Sequence, residues 1–399
     1  MSSMKAVTVL GSTGSVGTNT LAVIESDRDK FSIFALVANQ NITLLVDQCV
    51  RFKPRYIVIR EESFVPELAA KLNEHEVDTE VLSGVEGIHF VTTHSDVDIV
   101  MSAIVGSSGL EPTFFAVQAG KRVLLANKES MVMAGELLNA EAIKSGATLL
   151  PVDSEHNAIF QCIGGVQIED SGMSDIEKVI LTASGGPFLN KNMNELKSIT
   201  PEQAIKHPNW KMGAKISVDS ATMANKGLEL IEAQQLFGLG SEILDVVIHP
   251  QSVVHSFVEF TDGAVLAQLG PPDMRIPISY CLAYPRRIRM SQPKLKLTEL
   301  NTLQFFDVEV ARYPVFKLAR DCLREGGVSS IFFNASNEVA VGSFLAGEVG
   351  FLDIYSIVAS VMERLEQHRI ETIDDVLEVD AIARRMARDY VASFASRVG

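Results

Sequence analysis

Over residues 1–150 the apolar positions follow two alternating rhythms. Short β-branched runs at Ala6–Leu10, Phe31–Val37, Tyr56–Ile59, Asp98–Ile104, Val123–Ala126 and Thr148–Leu150 read as buried strands. Between them, Val16–Glu25, Leu44–Phe52 and Met131–Lys144 carry apolar residues at helical spacing. Repeated strand–helix alternation predicts a mostly parallel sheet covered by helices on both faces. Residues 1–150 are therefore expected to form a Rossmann-like α/β domain.

After Pro151 the rhythm changes. A strand is expected at Val179–Ala183, followed by a long irregular stretch, about 185–213, with glycines at both ends that suit a lid. A helix is expected to start at Asp219 as N-cap and to end before Gly238. Runs at Leu244–His249, Val253–Phe260 and Ala264–Leu269, with Asp262-Gly263 between the last two, predict a meander with one tight hairpin. Residues 151–285 thus read as an α+β catalytic domain, 286–312 as a connecting segment poor in periodicity, and 313–399 as a helical domain. The helices expected there are Val315–Arg324, Ala335–Ala346, Ile354–Gln367 and Ile373–Ser396.

A net charge of −15 argues against a general nucleic-acid or anionic-membrane partner. No stretch approaches the roughly 18 uninterrupted apolar residues of a spanning helix. Cys49, Cys162, Cys281 and Cys322 have no close paired spacing and read as reduced thiols. The amino terminus shows no signal-peptide pattern, so the expected location is the cytoplasm.

Three segments carry chemistry. The first strand runs into Gly11, Thr13, Gly14, Ser15, Val16 and Gly17, a Gly-x-x-Gly-x-x-Gly turn that opens a helix. Such a turn lets main-chain N–H groups approach a pyrophosphate at the helix amino terminus. An ordinary glycine-rich turn is the plainer reading of the motif alone. At the end of the second strand, Ala38-Asn39-Gln40-Asn41 has neither the carboxylate that would favour NAD nor a base for a 2′-phosphate. Asn127-Lys128-Glu129-Ser130, after a later strand, marks a ligand position or a helix cap.

In Pro151-Val152-Asp153-Ser154-Glu155-His156, an extended chain would aim Asp153 and Glu155 to one face and His156 to the other. Two carboxylates on one face suit Mg²⁺ or Mn²⁺ better than zinc, although solvated loop carboxylates are the commoner outcome. Around Asp219-Ser220, the residues Asn225, Lys226 and Glu229 would share a helical face. That set reads equally as a phosphate cradle or as a capped helix with an internal Lys–Glu pair. The lone tryptophan, Trp210, stands near His207 in the expected lid.

Together these segments resemble the 1-deoxy-D-xylulose 5-phosphate reductoisomerase family. The resemblance rests on Gly-Ser-Thr-Gly-Ser-Val-Gly at 11–17, Leu-Ala-Asn-Lys-Glu-Ser at 125–130 and Pro-Val-Asp-Ser-Glu-His-Asn-Ala-Ile-Phe-Gln at 151–161. Ser-Gly-Gly-Pro-Phe at 184–188, His-Pro-Asn-Trp at 207–210, Met-Gly-Ala-Lys-Ile-Ser-Val-Asp-Ser-Ala-Thr-Met-Ala-Asn-Lys-Gly-Leu-Glu at 212–229 and His-Pro-Gln-Ser at 249–252 extend it.

The resemblance implies Asp153, Glu155 and Glu229 as metal ligands. It implies a sugar-phosphate substrate whose phosphate meets Ser184, Ser220, Asn225 and Lys226, with Lys128, Ser154, Glu155 and His207 lining the rest and Trp210 in the lid. Lys128, Asp153, Glu155, His207 and Glu229 would then carry the catalysis. It also implies NADPH on Thr13, Gly14, Ser15, Val16, Asn39, Gln40, Asn41, Asn127, Glu129 and Gly213. Gln40 stands where relatives often carry a base, so weaker NADPH selectivity is expected. The implied reaction is metal-assisted rearrangement of the pentulose phosphate, by retro-aldol cleavage and re-closure, with NADPH reducing the resulting aldehyde. The implied assembly is a homodimer.

Two other readings compete. A metal-free semialdehyde or homoserine-type dehydrogenase shares the domain order, and its semialdehyde version needs a nucleophilic cysteine, for which Cys162 is the nearest candidate. A dinucleotide-sensing module would bind NADPH without consuming it.

Overall fold

The computed structural model describes residues 4–164, 175–210, 212–292 and 294–398. The chain forms two compact units. The first comprises Met1–Ser130, Leu138–Asn157 and Met274–Gln292; the second comprises Met131–Leu137, Ala158–Asp273 and Pro293–Gly399.

In the first unit the strands are β1 (Lys5–Leu10), β2 (Phe31–Ala38), β3 (Tyr56–Ile59), β4 (Glu80–Ser83), β5 (Ile99–Ser102), β6 (Arg122–Leu125) and β7 (Thr148–Pro151). They form a seven-stranded parallel sheet in the order β4-β3-β2-β1-β5-β6-β7. β3 and β5 are buried along their whole length, as a sheet covered on both faces requires. The crossovers are α1 (Ser15–Glu25), α2 (Ile42–Phe52), α3 (Val65–Glu74), α4 (Gly84–Thr93), α5 (Leu110–Gln118) and α6 (Lys128–Ser145), of which Met131–Leu137 is counted with the second unit. The expected α/β architecture is present. β4, which periodicity does not predict, is a short edge strand with one exposed and three half-buried residues, so it lacks the apolar run that marks its neighbours.

β7 runs directly into α7 (Ser154–Cys162), which corrects the extended reading of Asp153 to Glu155. Ser154 opens the helix and Glu155 lies in its first turn, where a carboxylate is favoured by the helix dipole.

The second unit holds a mixed sheet of β8 (Ile176–Ala183), β9 (Leu244–Ile248), β10 (Val254–Phe260), β11 (Val265–Leu269) and β12 (Phe306–Asp307), in the order β11-β10-β8-β9-β12. The β10–β11 pair is the expected hairpin. β12, inside the expected connecting segment, pairs antiparallel with β9. The 185–213 stretch is less irregular than expected: α8 (Met193–Leu196) and α9 (Pro201–Ala204) are single turns, each held by a capping box.

The helix expected from Asp219 to Gly238 is two helices, α10 (Ala214–Thr222) and α11 (Ala224–Phe237). They meet at Met223, whose φ of +62° breaks the helical path. Asp219 is consequently not an N-cap. It sits within α10, 1% exposed, ion-paired with Lys215 at 3.0 Å and accepting from Asn337 Nδ2 at 2.8 Å.

In the first unit α12 (Arg275–Ala283), unpredicted from the sequence, packs on α1, β6 and β7. In the second, α13 (Pro314–Glu325), α14 (Ser329–Leu345), α15 (Asp353–Met362) and α16 (Ile373–Val398) form the helical region around fully buried Phe316, Phe332, Phe333 and Phe344. α14 begins before the expected Ala335 because Ile331-Phe332-Phe333 reads locally as a strand run. Among the described residues, no helix is long and apolar enough to cross a membrane.

Candidate active site

Within the first unit the sheet order reverses around β1, with β2 on one side and β5 on the other. Open α/β sheets form ligand crevices at the carboxyl ends of the strands at such a point. A cavity of about 290 Å³ lies there, lined by Gly11, Thr13 and Gly14 after β1, Ala38 at the end of β2 and Asn39 after it, Arg60 after β3, and Ala103 and Ile104 after β5. Main chain sets its shape. Gly11 has φ +76°, and a Cβ at Gly17 would lie 2.3 Å from the Gly11 carbonyl oxygen, so the turn and the helix it opens touch without an intervening side chain. Gln48 Nε2 donates to the Ser12 carbonyl at 2.8 Å and holds the turn from behind. Gly14 is the N-cap of α1, and Ser15 and Val16 form the first turn, where N–H groups have no helical acceptor.

Of the triplet after β2, Asn39 lines the cavity, Gln40 is exposed and outside its lining, and Asn41 caps α2 by accepting from Leu44 N–H at 3.2 Å. Arg60 carries no sequence signal. No motif marks it, and its proximity to Asn39 exists only once β3 lies beside β2.

Asn127 is the N-cap of α6. Its Oδ1 accepts from Ser130 N–H at 3.0 Å, and its Nδ2 donates to the carbonyls of Ile104 at 2.6 Å and Gly106 at 3.0 Å. It also donates to Glu129 Oε2 at 3.2 Å. Asn127 thus ties the β5 exit loop to the start of α6.

Next to it, Lys128, only 8% exposed, forms an ion pair with Asp153. Ser154 Oγ donates to Glu155 Oε2 at 2.7 Å. The turn carrying these residues is clamped from below: Asn157 Nδ2 donates to the Pro151 carbonyl at 2.9 Å, and Cys281 Sγ donates to the same carbonyl at 3.1 Å. His156 is fully buried in the first turn of α7.

In the second unit the start of α11 carries a buried charged set. Glu229, 1% exposed, accepts from Lys226 Nζ and from Asn225 Nδ2. α11 reaches this depth because a Cβ at Gly227 would lie 2.2 Å from Ala319 Cβ, so only glycine lets α11 and α13 cross so closely. Ser220 lies in the last turn of α10, just before the Met223 joint, and Gly213 is the N-cap of α10.

At the end of β8, Ser184 Oγ lies 2.8 Å from His207 Nε2 and accepts from Gly186 N–H at 3.1 Å. His207 Nδ1 accepts from the N–H groups of Asn209 at 3.2 Å and Trp210 at 3.0 Å. An accepting Nδ1 puts the neutral imidazole's proton on Nε2, facing Ser184. Burial pushes the His207 pKa down to about 4, which keeps it neutral at physiological pH. Asn209 Nδ2 donates to the Pro250 carbonyl at 2.6 Å and to Ser252 Oγ at 3.0 Å, so the 249–252 motif anchors the 207–210 motif. The Trp210 ring lies 6.0 Å from that of His255. Cys162 shows no activation: burial pushes its thiol up to about 11, which removes the thiolate a semialdehyde dehydrogenase would need.

Three family models match in sequence order. They are described as 1-deoxy-D-xylulose 5-phosphate reductoisomerase over residues 7–135, its C-terminal domain over 149–237, and a DXP reductoisomerase C-terminal domain over 269–386. Enzymes of that name from Saccharophagus degradans and Glaesserella parasuis are 49% and 46% identical over 393 and 396 residues, covering 98% of this chain and 100% of each relative. A crystal structure of DOX-P reductoisomerase in complex with NADPH, fosmidomycin and magnesium superposes with a TM-score of 0.95 at 41% identity, covering 98% of this chain and 99% of that one. The Zymomonas mobilis enzyme in complex with NADPH gives 0.90 at 41% identity with the same coverage. With every segment accounted for at this level of identity, the chain belongs to the 1-deoxy-D-xylulose 5-phosphate reductoisomerase family.

Proposed function

We infer that this chain converts 1-deoxy-D-xylulose 5-phosphate to 2-C-methyl-D-erythritol 4-phosphate, using NADPH and a divalent cation, Mg²⁺ or Mn²⁺, in the making of isoprenoid precursors. The observation that carries the reading is the Asn225–Lys226–Glu229 set at the start of α11, in which Lys226 and Glu229 are buried and Asn225 is half-buried, a charged set at a depth where desolvating ions is costly.

The residues fit both groups the family implies. The glycine turn and the first turn of α1 offer main-chain donors at the edge of a cavity, which suits a pyrophosphate. Thr13, Gly14, Ser15, Val16, Asn39, Gln40, Asn41, Asn127, Glu129 and Gly213 are assigned to NADPH on this basis, and its nicotinamide supplies the hydride. Asp153, Glu155 and Glu229 offer hard oxygen donors with no sulfur among them, which suits Mg²⁺ or Mn²⁺. A cation held there would act as a Lewis acid on the substrate's carbonyl and neighbouring hydroxyl oxygens.

The chain's own groups bind and orient. Ser184 Oγ already accepts from Gly186 N–H and faces the Nε2–H of His207, so its own proton is left to donate to an anion. Together with Ser220, Asn225 and Lys226 it is assigned to the substrate phosphate. Lys128, paired with Asp153, and Ser154, paired with Glu155, are assigned to the reacting end of the sugar. Anchoring the phosphate holds the carbon skeleton in register, because remote binding energy is spent on orientation. The 185–213 segment, with Trp210 at its far side, is assigned the closing role that excludes water.

We further assign a homodimer. β11 is a sheet edge with Val265, Leu266 and Leu269 exposed at 53%, 47% and 36%, the kind of edge that a second copy would cover. Four free cysteines and the use of NADPH fit the reducing cytoplasm.

The test is incubation of the full chain with 1-deoxy-D-xylulose 5-phosphate, NADPH and Mg²⁺, following reduced-cofactor absorbance and identifying the product by mass and NMR. Cofactor consumption that needs the cation and yields the branched tetritol phosphate is the expected result. Turnover indifferent to chelation, or no turnover, would overturn the reading.

A further inference from the structure

We propose that Arg60 reads the 2′-phosphate of the cofactor in this chain, supplying from β3 the cation that the end of β2 lacks. The proposal rests on the NADPH reading and names the residue that would make it selective.

In a doubly wound sheet the residue leaving β2 meets the adenine ribose. Here that exit is neutral: Asn39 lines the cavity, Gln40 lies outside it, and the Asn41 side chain is engaged in capping α2. β3 runs parallel to β2 with Ile59 opposite Ala38, and Arg60 N–H donates to the Ala38 carbonyl at 2.9 Å. Arg60 therefore leaves the sheet immediately beside the ribose position. It lines the same cavity as Asn39 and the glycine turn, and among the described residues it is the one charged group in that lining.

Its guanidinium is uncommitted. Arg60 is exposed, and its side chain makes no hydrogen bond or ion pair among the described residues. Neither of the acids that follow it in the chain, Glu61 and Glu62, is ion-paired with it among the described residues. A free, permanently charged fork beside the ribose suits a phosphate dianion, which it meets with paired N–H donors. NADH offers no such group. Selectivity that Gln40 cannot provide therefore comes from the next strand.

The probes are 2′,5′-ADP and 5′-AMP, which differ by that phosphate and need neither substrate nor metal. Calorimetry on the full chain should show 2′,5′-ADP binding roughly 10- to 100-fold tighter than 5′-AMP, as expected for one charge-assisted contact. Arg60→Met should bring the two within about threefold of each other, raise the KM for NADPH, and leave the KM for NADH within about twofold. Arg60→Lys should keep part of the preference, and Gln40→Lys added to Arg60→Met should restore it. A preference that survives Arg60→Met, or a wild-type chain with none, would overturn the proposal. An Arg60-dependent preference in a chain that fails to turn over the pentulose phosphate would support the proposal and overturn the assigned reaction instead.

Discussion

The cavity of the first unit and the α11 cluster of the second are both candidate sites, yet they are made of different material. The cavity is shaped by main chain: the turn at Gly11, the contact of Gly17 with it, and strand ends that stop at one level. The α11 cluster is shaped by side chains that already satisfy one another, Lys226 and Asn225 on Glu229, and the Ser184–His207 pair after β8 is of the same kind. A main-chain site is lost when volume is added to it. A side-chain site is lost when one charge is removed, because its partners are left buried and unpaired.

The sharpest break in that contrast is Glu229→Gln, which keeps shape and removes charge. Turnover is expected to fall about 10³-fold or more, while NADPH affinity stays within about twofold, since Glu229 is not among the residues assigned to the cofactor. Steady-state kinetics with Mg²⁺ and direct cofactor titration check both halves. A variant that keeps near-normal turnover would remove Glu229 from the ligand set.

Gly17→Ala tests the main-chain half. Its methyl group would lie 2.3 Å from the Gly11 carbonyl oxygen and 2.6 Å from Ser12 Cα, so the turn must move. We expect NADPH affinity to drop about 10- to 100-fold and stability to fall by about 1–3 kcal/mol, the usual cost of overpacking. Gly14→Ala is the internal control: there the nearest atom is the Gly11 carbonyl oxygen at 3.3 Å, which a small adjustment relieves. Equal losses in the two variants would argue that the close contact at Gly17 does not set the effect and that the glycines serve another purpose.

The same division explains what the sequence discloses. The glycine turn and the six strands predicted for the first unit are legible because main-chain sites depend on residue type at fixed short spacing. Glu229 with Asn225 and Lys226 is legible for the same reason, since neighbours three and four apart on a helix must meet. The extended reading of Asp153 and Glu155 fails because the two-residue alternation of a strand and the opening of a helix look alike over so short a run. Ser154 and Glu155 are in fact helix-start signals. The break at Met223 is invisible, because nothing in Ala-Thr-Met-Ala announces a left-handed residue. Arg60, Asn209 with its partners Pro250 and Ser252, and Cys281 under Pro151 depend on strand order or on segments far apart in the chain, which no local pattern encodes.

Asn127 lies between the two cases, a side chain that organises main chain. Asn127→Ala would leave the buried N–H of Ser130 without its cap and remove the donor to the carbonyls of Ile104 and Gly106, the latter keeping Gly109 N–H at 3.1 Å. A loss of about 1–3 kcal/mol in denaturant-derived stability is expected. Asn127→Asp should recover the cap but not the two carbonyl contacts, since a carboxylate donates nothing to them. Recovery by Asp of full stability would mean that the carbonyl contacts contribute little.

The smallest expected effect is also the most specific to the side-chain site. With its pKa held down to about 4 by burial, against 6.5 for a solvated imidazole, folded His207 binds fewer protons than the unfolded chain between those values. Stability therefore rises with pH through that window: the full value is present above about pH 6.5 and is lost as pH falls toward 4. For a half-buried group the contribution is about 1 kcal/mol after allowance for screening. His207→Gln keeps a side-chain amide donor for Ser184 and cannot titrate, so the stability gap between wild type and variant should shift in the variant's favour as pH drops through the window. The imidazole signals of wild-type His207 should show the Nε2-protonated neutral ring down to about pH 5. A ring that titrates near 6.5 would mean that solvent reaches it freely, and the fixed Ser184–His207 geometry assigned to phosphate binding would lose its physical basis.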